Sequence, residues 1–98
     1  MIKHVKWSDD AIETVERIKK YLVENWSELV ADNFVNEIES KIEVLKQFPE
    51  IGRPSEKDKG VRKIKVAKHV VLYYRDKKRI LEILNFFDQR QHPDKSKY

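Results

Sequence analysis

The sequence predicts a two-layer α+β domain: an N-terminal strand, an antiparallel helical hairpin, then three antiparallel strands forming a curved sheet with the helices on one face. Three observations lead there. Apolar residues recur at helical spacing through two stretches of the first half, only Trp26-Ser27 separates those stretches, and the second half switches to period-two alternation. A chain of 98 residues has room for one core, so residues 1–98 are expected to form a single domain.

Each element has its own signal. Ile2–Trp7 alternates Lys3, Val5 and Trp7 against Ile2, His4 and Lys6, as a strand with one side turned to a core does. Ser8, Asp9 and Asp10 offer helix caps, and Asp10 with Glu13 has capping-box spacing. Ala11, Ile12, Val15, Ile18, Leu22 and Trp26 then make an apolar stripe, which predicts a helix over Asp10–Asn25. After Trp26-Ser27, the residues Ala31, Phe34, Val35, Ile38, Ile42 and Leu45 mark the face of a second helix, which Pro49 stops near Gln47. So short a link makes the two helices antiparallel.

Pro49–Gly60 holds two of the three prolines and both glycines, and it predicts a loop with an ordered turn at Ile51–Pro54. Val61–Ala67 alternates Lys63 and Lys65 with Ile64 and Val66, a strand with one wet face. Val70–Arg75 is almost continuously apolar, as an inner strand covered on both sides is. Asp76-Lys77-Lys78 turns the chain and Arg79–Asp88 returns it. The polar tail Gln89–Tyr98 is expected to be only partly ordered.

Composition narrows the function classes. A net charge of +4 suits an anionic partner such as nucleic acid or an acidic protein segment. With no cysteine there are no disulfides and no thiolate metal sites, so packing alone stabilises the fold. No apolar run approaches the roughly 20 residues of a membrane span, and Met1 leads straight into a polar-alternating strand, so the expected location is the cytoplasm, with no membrane partner. His4, His69 and His92 lie far apart without ligand spacing, and neither metal nor cofactor is expected. Glu37, Glu39 and Glu43 belong to a solvated helix face.

The cations are the informative group. Arg62, Lys63, Lys65 and Lys68 surround the wet strand, and Arg75 and Arg90 end the next two. Arginine forks at strand ends can cradle phosphates, but lysine and arginine also line sheet rims for solubility and to blunt edges. From the residues alone the second explanation weighs more. Tyr73 and Tyr74 have faces on which bases could stack, although at least one is expected in the core. His92 is the group near the rim whose ordinary pKa lies close to neutrality. It could serve as general base towards a ribose 2′-hydroxyl, with Arg75 and Arg90 stabilising the charge that develops on phosphorus. The bland alternative is a solvated histidine in a loose tail. Tyr98 could reach the same rim.

The order of segments is more specific than any motif. A strand, a helical hairpin, F-P-E-I-G-R-P at Phe48–Pro54, V-R-K-I at Val61–Ile64, V-L-Y-Y-R at Val71–Arg75 and F-D-Q-R-Q-H-P at Phe87–Pro93 together resemble the RelE/ParE toxin superfamily, from Val5 to about Asp94. The resemblance implies a small cytoplasmic toxin of a bacterial type II toxin–antitoxin pair, neutralised by a cognate antitoxin. RelE-like members cleave mRNA on the ribosome without a metal; ParE-like members inhibit DNA gyrase and are not nucleases. The long helices and the P-E-I-G-R-P turn look like the ParE side, whereas Arg90-Gln91-His92 looks like a RelE rim. The balance falls slightly towards an endoribonuclease, with Arg75, Arg90 and His92 catalytic and Arg62, Lys63, Lys65 and Lys68 binding RNA phosphates. The alternatives are a gyrase inhibitor and an inactive remnant that only binds antitoxin. The tyrosine that the family places after the last arginine is missing unless Tyr98 serves.

Overall fold

The computed structural model describes residues 4–89. It contains β1 (His4–Trp7), α1 (Asp9–Asn25), α2 (Glu28–Gln47), a 3-10 turn (Pro49–Ile51), β2 (Arg53–Pro54), β3 (Arg62–Ala67), β4 (Val70–Lys77) and β5 (Ile80–Asp88). The five strands form one mixed sheet in the order β1-β5-β4-β3-β2. β1 runs parallel to β5, while the other neighbours are antiparallel. The α+β class, the hairpin and the three-strand meander are therefore as the sequence predicts.

Both helices begin at serines with extended backbone. The Ser8 hydroxyl accepts from the Ala11 amide at 3.0 Å and the Ser27 hydroxyl from the Val30 amide at 3.1 Å, each satisfying an N–H that the first helical turn leaves open. Ser8 is thus the cap, not Asp10, and α1 starts at Asp9. Asp9 and Asp10 in its first turn complement the helix dipole. The Ser8 hydroxyl also donates to the Leu84 carbonyl at 2.6 Å, tying the start of α1 to β5.

The two buried helix stripes, Ala11, Val15, Ile18 and Leu22 with Ala31, Phe34, Ile38, Ile42 and Leu45, pack on Val66, Val70, Leu72, Tyr74, Leu81, Ile83 and Phe86. α1 lies on β5 and α2 on β3. Trp7 joins this layer with its ring centroid 5.5 Å from that of Phe86. Two members of the expected stripe depart from it: Ile12 is 48% exposed and Trp26 68% exposed. Thr14 is buried instead and donates its hydroxyl to Asn85 Oδ1 at 2.7 Å. A threonine inside an apolar stripe is easily passed over, because its partner lies at |i−j| = 71.

Two strand boundaries also differ from expectation. β4 continues through Lys77, which pairs with Ile80, so the turn is Lys78-Arg79 and not Asp76–Lys78. Both turn residues have positive φ, 50° and 69°, the left-handed backbone that a two-residue hairpin matching the sheet's twist requires. Within the Pro49–Gly60 loop, Arg53–Pro54 pairs with Lys63 and Arg62 as a short edge strand. The tail beyond Gln89 lies outside the described residues.

Candidate functional site

The sheet's register sorts the predicted site residues onto two faces. Side chains alternate along a strand, so residues paired across strands share a face. Arg62 pairs with Tyr74, and Tyr74 is fully buried beneath the helices. Lys63 pairs with Tyr73 and Lys65 with Val71, on the opposite, outward face. Arg62 and Lys63, neighbours in sequence, therefore belong to different environments.

Arg62 is committed to the loop. Its Nη1 donates to the Gly52 carbonyl at 2.7 Å and to the Glu50 carbonyl at 3.1 Å. Tyr74 holds the same loop from inside: its hydroxyl donates to the Pro49 carbonyl at 2.6 Å and accepts from the Gly52 amide at 2.9 Å. Burial pushes the Tyr74 phenol above its usual pKa, against the opposing effects of the Gly52 amide and the Arg62 charge. Gly52 sits so close that a Cβ there would lie 2.8 Å from Tyr74 Cε1. The I-G-R-P, V-R-K-I and Y-Y-R segments are thus one lock: the glycine makes room, the tyrosine and arginine close it. The lock orients the 3-10 turn and β2, and through Nη1 it gives Arg62 a structural role.

The outward face carries the remaining charge. β2 brings Arg53 alongside Lys63, and these two with Lys65, Ile51, Val71 and Tyr73 line a groove of about 320 Å³. None of Arg53, Lys63 and Lys65 is ion-paired with a carboxylate among the described residues. Unpaired cations around a partly apolar floor suit an anionic partner. Arg75, two residues along β4 from Tyr73, faces the same way but is engaged: its Nη1 lies 3.9 Å from Glu82 Oε1, on the neighbouring strand. That carboxylate oxygen is buried and has no hydrogen bond among the described residues, so Arg75 is its principal compensation. Lys6, on β1, is in register with Glu82 from the other side.

Lys68 lies elsewhere. It stands in the β3–β4 turn and, with His69, borders a second groove of about 440 Å³ on the helix side, whose walls include Trp26, Val30 and Phe34. Of the predicted binding set, then, the structure brings together Lys63 and Lys65, separates Arg62 and Lys68 from them, and pairs Arg75 with Glu82. Arg90, His92 and Tyr98 lie outside the described residues. Arg53 and Glu82 were not anticipated. Arg53 sits in a segment that reads as loop, and its place beside Lys63 depends on a strand pairing that local sequence does not encode. Among the described residues no group of His, Asp and Glu could hold a metal ion, and no helix is long and apolar enough to cross a membrane.

A chain of a P. aeruginosa chromosomal ParDE toxin–antitoxin system superposes with a TM-score of 0.77 at 24% identity, covering 89% of this chain and 96% of that one. A chain of the E. coli DinJ–YafQ toxin–antitoxin complex superposes with a TM-score of 0.64 at 13% identity, covering 93% and 97%. At such identities these likenesses concern the fold. No curated protein matches the sequence. The sequence profile of the ParE toxins, however, matches residues 5–93, nearly the whole chain. The chain belongs to the ParE toxins of type II (parDE) toxin–antitoxin systems, within the ParE/RelE superfamily.

Proposed function

We propose that this toxin arrests growth by binding its target, in the manner of a ParE-type inhibitor of DNA gyrase, and not by cutting mRNA, and that a cognate antitoxin neutralises it. The observation that carries this reading is the commitment of two of the expected active-face cations. Arg62 donates through Nη1 to two loop carbonyls, and Arg75 is paired with Glu82. A cation that stabilises a phosphoryl transition state must be free to meet charge as it develops. The cations left on the outward face, Arg53, Lys63 and Lys65, surround a groove suited to holding an anionic surface. Membership of the ParE family supports the same direction.

The second reading, ribosome-dependent cleavage of mRNA, rests on the basic groove beside Tyr73 and on the sequence Arg90-Gln91-His92. Purified protein separates the two. The binding reading expects gyrase supercoiling to be inhibited with cleaved DNA trapped, messages in a translation extract to stay intact, and Arg90→Ala and His92→Ala to arrest growth like the parent. Messages cut at defined codons, with supercoiling untouched by excess protein, would overturn it. Inducible expression without any growth defect would point to an inactive remnant. Antitoxin affinity should fall as salt is added, since the available cations are exposed to screening.

A further inference from the structure

The α1–α2 junction carries an apolar surface that nothing among the described residues covers. Trp26 and Leu29 are each 68% exposed, more than any other large apolar side chain described. Trp26 is nevertheless held in place. Its amide donates to the Leu22 carbonyl at 2.9 Å, closing α1, and the Ser27 hydroxyl next to it opens α2 by accepting from the Val30 amide. Beside this knob lies the groove of about 440 Å³ between the hairpin and the β3–β4 turn. Trp26, Val30 and Phe34 wall it, and the buried Leu22 and Val70 complete its apolar lining. Leu29 stands one helical turn before Asn33, which also lines the groove, and so shares that face of α2.

The groove carries charges of both signs, contributed from its two sides. Glu37 belongs to α2, whereas Lys68 belongs to the β3–β4 turn. Neither has an ion-pair partner among the described residues. We infer that the groove receives Trp26 of a second copy of this chain, so that two copies pair about a two-fold axis through their hairpin junctions. An isologous contact needs one patch that is its own complement, with residue i meeting j and j meeting i. This patch meets the condition in shape and in charge. It joins a projecting apolar side chain to an adjacent apolar groove, and it carries a carboxylate and an ammonium that a half-turn sets against their opposites. An unrelated partner would have to fill the groove and find separate cover for Trp26 and Leu29, which a second copy does in one contact. The fixed backbone on both sides of Trp26 means that little is lost in ordering it. The groove lies on the helix side, so pairing leaves Arg53, Lys63 and Lys65 outside the contact, and the pair offers a target two such faces. The inference stands apart from the choice of target.

Sedimentation equilibrium of the full-length chain at low ionic strength, from about 5 to 500 µM, should show a monomer–dimer equilibrium with a micromolar dissociation constant. Trp26→Ala, at an exposed position, should keep the parent's urea midpoint and weaken pairing at least about thirtyfold, as loss of an interface hot spot does. Charge reversal then tests the two-fold arrangement itself. Glu37→Lys alone brings like charges together at both contacts of the pair, and so does Lys68→Glu. Each variant should pair about tenfold more weakly than the parent, whereas their equimolar mixture, which reunites opposite charges at both contacts, should recover the parent's affinity. A chain that stays monomeric at about 500 µM overturns the inference. So does a dimer that Trp26→Ala leaves unchanged, or a mixture that pairs no more tightly than the separate variants. If the chain stays monomeric while an amphipathic leucine–lysine helical peptide binds the groove, the surface takes a different polypeptide and the inference fails.

Discussion

Replacing Gly52 with alanine tests the lock between the loop and the sheet directly. The backbone at Gly52 is ordinary, with φ of −70° and ψ of 149°, so alanine incurs no conformational penalty there. The difficulty is space: the new Cβ would lie 2.8 Å from Tyr74 Cε1 and 2.9 Å from Cζ, and the ring it meets is fully buried. Overpacking of this kind costs about 1–3 kcal/mol. Displacing the ring also loosens the hydroxyl's bonds to the Gly52 amide and the Pro49 carbonyl, each contributing about 1 kcal/mol net. Because part of the strain is relieved by the same movement, the expected total is about 2–4 kcal/mol. In a domain of this size, each kcal/mol lowers Tm by about 4–8 °C. Urea denaturation followed by circular dichroism should therefore show a lower midpoint with the slope unchanged. Tyr74→Phe is the control. It leaves the Gly52 amide and Pro49 carbonyl without their partner, costing about 1–3 kcal/mol, but removes the hydroxyl oxygen, the Tyr74 atom nearest the new methyl. The double variant should consequently be more stable than the sum of the singles implies. A Gly52→Ala cost below about 0.5 kcal/mol, or strict additivity with Tyr74→Phe, would refute the reasoning.

Three further outcomes are expected. Arg62→Ala should destabilise by about 1.5–3 kcal/mol in urea titrations, the range for hydrogen bonds from a charged donor, whereas Lys63→Ala on the other face should stay within about 0.5 kcal/mol. Tyr74 has a folded-state pKa above its unfolded value, so its contribution is fully present below the unfolded pKa of about 10 and is lost as pH rises through the folded one; an alkaline titration of stability should show this loss in the parent and not in Tyr74→Phe. Lys78-Arg79→Asn-Gly should stabilise the protein by about 1–2 kcal/mol, measured by the urea midpoint, because both positions have positive φ, which Asn and Gly adopt at little cost.

The helices and the meander were legible in the sequence because their signals are local. Stripe spacing, the Trp26-Ser27 break and Pro49 each act within a turn or two of the residues they organise. The departures arise where a distant partner decides. Ile12 follows the helical spacing yet is exposed, while Thr14 is buried by its bond to Asn85 across the fold. The turn slipped from Asp76–Lys78 to Lys78-Arg79 because cross-strand pairing carries β4 through Lys77, and neither turn residue has the small side chain that marks such a hairpin. The site was legible only as a group of cations. Lys63 and Lys65 share a face at period two, but Arg62 is distinguished from them only by its loop carbonyls and its register with Tyr74.

That division of neighbouring cations has a consequence for how such a surface can change. Arg62 and Tyr74 close the lock from the helix side, whereas the side chains of Arg53, Lys63 and Lys65 project from the opposite face and make none of its hydrogen bonds. Substitutions on the outward face can therefore alter what the sheet binds at little cost in stability, because the lock continues to hold the 3-10 turn and β2 in place. Arg75 is the exception. Its removal would leave the buried Glu82 oxygen without compensation, so a change there alters the chemistry of the face and its stability together. If outward cations only bind a target, Lys63→Ala and Lys65→Ala should weaken growth arrest gradually and additively. If they position a phosphate for cleavage, a single loss should abolish it, because catalytic groups act as a unit. Measuring growth arrest for the two single variants and the double at matched expression distinguishes these cases whatever molecule the toxin strikes.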